Sequence, residues 1–191
     1  MVNEARLDRV ASGLAPVTPG WFVVNAADAA WVSNVEHYGG VCIFESDEFV
    51  LRGRPDLTMY EKPAAGFTLR VVPAGRPGGL YHAETVQEDF LILQGECLLI
   101  VEDQERHLRA WDFVHCPPLT GHTLVATGDV PCIYLATGNR RDDLERIYPR
   151  SETALRHHAG SEVTTAEPER RGTWEVRRPD GWDELPWVVP R

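Results

Sequence analysis

The chain contains almost no lysine: Lys62 stands alone, and every other basic residue is an arginine. Basic residues number 19 against 29 acidic ones, a formal charge of −10, so the clustered positive face that a phosphate backbone requires is not expected and neither is a nucleic-acid partner. The pairs Arg140/Arg141, Arg170/Arg171 and Arg177/Arg178 are interleaved with acids and read as solvated surface. No CxxC pair occurs. Cys42, Cys97, Cys116 and Cys132 lie far apart in apolar segments, which excludes a zinc-ribbon spacing and reads as buried free thiols. No apolar run approaches the ~20 residues that cross a bilayer, and no charged-then-apolar leader opens the chain, so a cytoplasmic protein without a membrane partner is expected. A GxSxG nucleophile motif is missing. The glycine-rich "PAGRPGG" (73–79) leads into a strand pattern, without the helix N-terminus of a phosphate loop. Internal repeats are absent too.

What the chain does have is a dense series of short β-rich segments. At 191 residues and 43% hydrophobic composition it can bury one sizeable core. From Phe67 onward, "FTLRVVP", "DFLIL", "CLLIVED", "DFVHCP", "HTLVAT" and "PCIYLAT" follow one another with Gly, Pro or Asp between them. Such spacing predicts an antiparallel sandwich or barrel and leaves no room for crossover helices. "FLIL" and "CLLIV" are apolar on both faces, so both sides of those strands should be covered. Upstream, "EARLDRVASGLAP" reads as a short helix ended by Gly13 and Pro16, and "GWFVV" and "VCIFE" read as strands. Residues 46–66 read as a long connection with room for one edge strand. Beyond Gly138 a helical turn or two and a polar linker at 160–172 are expected. Trp174, Trp182 and Trp187 do not suit a free tail, so the C-terminal segment should dock on the barrel or on a neighbouring subunit.

The stretch "YHAETVQEDFLILQGE" (81–96) concentrates the chemistry. His82 and Glu84 are one residue apart, so in an extended chain their side chains leave the same face, about 6–7 Å apart. Glu88 follows a short break and precedes the next strand, which can return it to the same point. Gly95 then supplies a turn, and "WDFVHCPPLTGH" (111–122) brings His122 back from another strand. His115 and Cys116 read as packed strand positions, His107, His157 and His158 as exposed, and Tyr81 and Trp111 as packing groups.

The order His-x-Glu-x3-Glu-x6-Gly, followed by Asp-Phe-Val-x2-Pro-Pro-x-Thr-x-His, resembles the two motifs of the cupin superfamily across about residues 67–137. The continuation "TGNRRDDLERIYP" is similar to that of a metal-binding subgroup of bacterial cupins. The resemblance implies an all-β fold, a single jelly-roll β-barrel of residues 41–137 with an N-terminal extension (1–40) and a C-terminal tail (138–191). It places metal ligands at His82, Glu84, Glu88 and His122 and the turn glycine at Gly95. Three positions depart from the pattern: Glu84 stands where a second histidine is usual, Leu119 where a glycine precedes the last histidine, and Arg76 where a glycine precedes the first.

Four ligands of this kind would put two imidazoles and two carboxylates around one divalent transition metal (zinc, iron, manganese or nickel), cancelling its charge and weakening it as a Lewis acid. Alternatively His82, Glu88 and His122 form a two-histidine, one-carboxylate set with open positions, and Glu84 acts beside it as a general base. The function expected is that of a metal-dependent isomerase, decarboxylase or dioxygenase acting on a small polar organic molecule. The alternative is a non-catalytic small-molecule binding or sensing protein. A homodimer is expected, because apolar outer strands often pair.

Overall fold

The computed structural model describes residues 2–44 and 64–187. Thirteen strands dominate them: β1 (Leu7–Val10), β2 (Gly13–Pro16), β3 (Val32–Asn34), β4 (Gly39–Ile43), β5 (Ala65–Val72), β6 (Ala83–Glu84), β7 (Glu88–Gln94), β8 (Glu96–Val101), β9 (Gln104–Arg109), β10 (Phe113–Cys116), β11 (His122–Ala126), β12 (Cys132–Asn139) and β13 (Arg146–Ile147). Among the described residues the one α-helix is the five-residue α1 (Glu152–Arg156), capped by the Ser151 side chain accepting from Ala154 N. The expected connection and edge strand at 46–66 lie outside the described residues, apart from the start of β5.

Two antiparallel sheets face each other as an all-β jelly roll. The larger runs β10-β7-β12-β5-β4-β3 and the smaller β11-β8-β9. Bridges Pro77↔Val125 and His82↔His122 lay residues 77–82 along β11, so the smaller sheet gains a discontinuous fourth member. Every strand expected between Phe67 and Thr137 is present.

Strand alternation explains why several strands are apolar on both faces. On β7, Phe90 and Ile92 point between the sheets, where they meet Val72, Cys97, Leu99, Val114, Leu124 and Tyr134. Leu93 points outward, into a second cluster of Leu69, Ile133, Cys42 and Trp31. On β8, Cys97 and Leu99 face inward, whereas Leu98 and Ile100 pack outward against Tyr81, Ala154 and Ala159 around α1. All four cysteines are buried free thiols. Gly95, at the β7–β8 turn, has φ +76°, and a Cβ there would lie 2.7 Å from the Pro131 carbonyl oxygen. Glycine is therefore demanded on both counts.

Outside the sandwich several expectations change. The segment 4–16 is the β1–β2 hairpin rather than a helix. Ser12 Oγ donates to Trp31 O and accepts from Trp31 N, while Leu14 N donates to Asp28 O and Leu14 O accepts from Ala30 N. These distant partners outweigh a helical preference too short to sustain itself. "GWFVV" forms only an isolated bridge at Trp21, whereas "VCIFE" is largely β4. Trp111 is exposed and does not pack.

The tryptophan-bearing tail docks on its own chain. Trp31 is fully buried, with Trp187 stacked at 5.7 Å and Trp182 edge-on at 5.5 Å. Arg178 sits 4.6 Å over the Trp182 ring and donates to Ser12 O and Ala27 O. Arg171 donates to the carbonyls of His158 and Gly160, and Asn34 donates to Arg171 O. These two arginines are therefore fasteners between segments, not solvated surface. Trp182→Ala should lower unfolding stability by about 2–3 kcal/mol in urea titrations, because it opens one face of the Trp31 cluster and removes the seat of Arg178.

Candidate metal centre

His82 and His122 stand directly opposite each other across an antiparallel bridge. His82 N donates to His122 O at 3.1 Å, and His122 N donates to His82 O at 2.9 Å. Directly paired residues project to the same side of the ladder, and the two rings lie 4.9 Å apart. Each Nδ1 is set against a carbonyl two residues earlier, His82 at 2.7 Å from Leu80 O and His122 at 3.0 Å from Thr120 O. A carbonyl only accepts, so Nδ1 keeps its proton on both rings and Nε2 is the nitrogen able to take a metal.

Glu88 comes from the opposite sheet, at the first position of β7, flanked in register by Cys116 of β10 and Gly138 of β12. Its Oε2 lies 3.4 Å from His82 Nε2 and 3.3 Å from His122 Nε2, and the ligand atoms of the three residues fall within 4.8 Å of one another. Ligands held about 2.1 Å from one ion are about 3.0 Å apart at right angles and about 3.4 Å apart at the tetrahedral angle. The observed spacing has that scale. Among the described residues, Glu88 Oε2 and His122 Nε2 are also buried without a hydrogen-bond partner. They face each other at 3.3 Å without a well-aligned hydrogen bond, and a shared cation would satisfy both. The donor set thus fits a divalent transition metal.

Without an ion, His122 and Glu88 hold each other charged. Burial pulls the His122 pKa down, but the Cys116 side chain and the Glu88 carboxylate outweigh it and hold the pKa up at about 10. Burial would raise the Glu88 pKa, yet the two histidines prevail and hold its carboxyl far below the usual range. Phe90 packs 5.2 Å from the His122 ring and Tyr148 lies 5.8 Å from that of His82. Access is from one side: the side chains of His82 and Glu88 are about one-fifth exposed, and that of His122 only 3%.

Glu84 is placed differently. Its buried side chain lies with Oε1 3.9 Å from His82 Nε2, outside the three-residue cluster. That same oxygen accepts from Nε of Arg146 at 2.6 Å and from its Nη2. Both guanidinium contacts fall on this one oxygen, so the Glu84 carboxylate is held toward Arg146. Neither Arg146 nor Tyr148 was anticipated. The signal available was the alternation Arg146-Ile147-Tyr148, which puts both on one face of a strand. Cys116 reaches the site through His122, whereas His115 points outward and pairs with Asp89 at 2.6 Å. Leu119, where the resemblance expects glycine, has φ +69°, and its amide donates to Glu84 O at 2.7 Å. The backbone there suits glycine, and leucine stores about 1 kcal/mol of strain.

The geometry stands beside three comparisons. The family model described as "Cupin domain" matches residues 68–138. No curated protein matches the chain. Among solved structures, the chain is similar to an Acidithiobacillus ferrooxidans protein provisionally named a sugar phosphate isomerase, with 23% identity, 44% of this chain and 55% of that one covered, and a TM-score of 0.42. It is also similar to a sugar phosphate isomerase of the cupin superfamily from Silicibacter pomeroyi (18% identity, 59% and 72% covered, TM-score 0.45) and to a DMSP lyase from Ruegeria pomeroyi (24%, 44% and 42%, TM-score 0.38). The match thus spans only about half the length of the first of these. No helix among the described residues is long and apolar enough to cross a membrane.

Because the His122 proton must leave before Nε2 can bind, metal uptake should release about one proton per ion at pH 7.5, and apparent affinity should rise with pH up to about 10. Calorimetry in buffers of different ionisation enthalpy measures this. Proton release should vanish together with binding in His122→Ala.

Proposed function

We propose that the chain, whose residues 68–138 match the cupin family model, is an enzyme using one divalent transition metal (zinc, iron, manganese or nickel), held by His82, Glu88 and His122, to act on a small polar organic molecule. The observation that carries this reading is the pair of buried, unpartnered ligand atoms, Glu88 Oε2 and His122 Nε2, facing His82 Nε2. Two imidazoles and one carboxylate leave a divalent ion with a formal positive charge and with positions for a chelating substrate. When bound, the metal supplies Lewis acidity toward a substrate oxygen, and this suits isomerisation, decarboxylation or dioxygen-dependent cleavage.

The protein's own residues would do the rest. Leu80 O and Thr120 O lock the two imidazoles with Nε2 inward. Phe90 and Tyr148 wall the site and limit water, and the exposed side of His82 and Glu88 admits the substrate. A homodimer belongs to the same proposal, supported by Phe113 and Trp111 exposed on and beside the edge strand β10. Light scattering at micromolar concentration that returns a 21.4 kDa particle overturns it.

The test of the metal reading is elemental analysis of protein purified without a metal-affinity tag. About one equivalent of a single transition metal is expected in the natural chain, with none in His82→Ala or His122→Ala. Substoichiometric metal in all three after reloading contradicts the reading. Tight small-molecule binding that survives chelators would then favour a non-catalytic binding protein.

A further inference from the structure

We infer that Arg146 is a positioning residue that holds Glu84 out of the metal's coordination shell and so keeps a position on the ion free for substrate. The inference rests on the metal reading above and concerns the oxygen nearest to that site that does not take part in it.

Glu84 leaves the same strand face as His82, and its Oε1 is only 3.9 Å from His82 Nε2. At that distance the carboxylate is close enough to compete for an ion bound at His82. What opposes that competition is built into the fold. Arg146 of β13 is the direct register partner of Glu84 of β6, so the two side chains project together. The register is held on both sides of the neighbouring pair, by Thr85 N donating to Glu145 O at 3.0 Å and Glu145 N donating to Thr85 Oγ1 at 3.0 Å. Both Arg146 Nε and Nη2 then converge on the very oxygen that faces the histidine.

The contrast with its neighbours is informative. Arg141 and Arg150, on the same segment, pair with Asp143 and Glu152 two residues away on the surface. Arg146 instead reaches back 62 residues, from a half-exposed position at the rim, onto a carboxylate that is only 4% exposed. A carboxylate buried to that degree is ordinarily paired, and the Arg146 guanidinium is its partner. The consequence is chemical. With Glu84 in the shell, two carboxylates would cancel the ion's charge and occupy a fourth position. With Glu84 on Arg146, the site keeps a net positive charge and the position takes an oxygen chelate instead.

Cobalt(II) is the probe, read by its visible spectrum and its Kd in the natural chain, Glu84→Gln, Arg146→Gln and the double variant. Since Glu84 is not a ligand while Arg146 holds it, Glu84→Gln should leave the spectrum unchanged and Kd within about threefold. Arg146→Gln should shift the spectrum, tighten Kd by about tenfold and weaken acetohydroxamate binding at the cobalt by about tenfold, as Glu84 fills the open position. The double variant should return to the natural spectrum. A tighter Kd with an unchanged spectrum would reflect charge alone and would overturn the inference. So would a spectrum altered by Glu84→Gln, which does not depend on Arg146→Gln folding. If the natural chain binds no cobalt, the metal reading fails and the inference falls with it; if cobalt binds but the variants behave alike, only the inference falls.

Discussion

The antiparallel bridge between His82 and His122 is the contact on which the site depends. It ties the segment after "PAGRPGG" to the start of β11 through two backbone hydrogen bonds, and in doing so turns two residues 40 positions apart into a side-by-side pair of imidazoles. Glu88 approaches from the other sheet, so the ligand set spans the sandwich rather than lying on one strand. The space between the sheets is otherwise filled largely with apolar side chains, so the polar atoms at this end have little but one another to face.

Burial on the outer faces supports the same arrangement. α1 and Ala159 cover the outside of β8, and Tyr81, next to His82, packs into that cluster, which anchors the first histidine from behind. The chain beyond β12 then folds back over the mouth, where Arg146 and Tyr148 become part of the site's wall. Further on it closes over Trp31, fastened by Arg171 and Arg178. The extensions on either side of the sandwich are therefore structural participants, and one of them reaches the chemistry.

Much of this could be read before any coordinates. The β-rich segments between turn residues predicted the sandwich, because period-two burial and Gly/Pro punctuation are local properties. The cupin resemblance nominated His82, Glu84, Glu88 and His122 together, and the structure brings His82, Glu88 and His122 within 4.8 Å of one another. What escaped was non-local. Residues 4–16 look helical until Asp28, Ala30 and Trp31 are available to pair with them. Arg171 and Arg178 look like surface charge until their partners are known, and nothing near Arg146 in the chain announces Glu84, 62 residues away. The role of Glu84 could not be decided from spacing at all, because spacing gives the direction of a side chain but not the competitor that captures it.

The most direct measurement is anomalous diffraction from crystals of the full chain loaded with zinc, collected on both sides of the metal edge. One peak is expected, with His82 Nε2, Glu88 Oε2 and His122 Nε2 each about 2.0–2.2 Å away and Glu84 still on Arg146. No peak at this position, with Glu88 and His122 bonded to each other instead, would contradict the account.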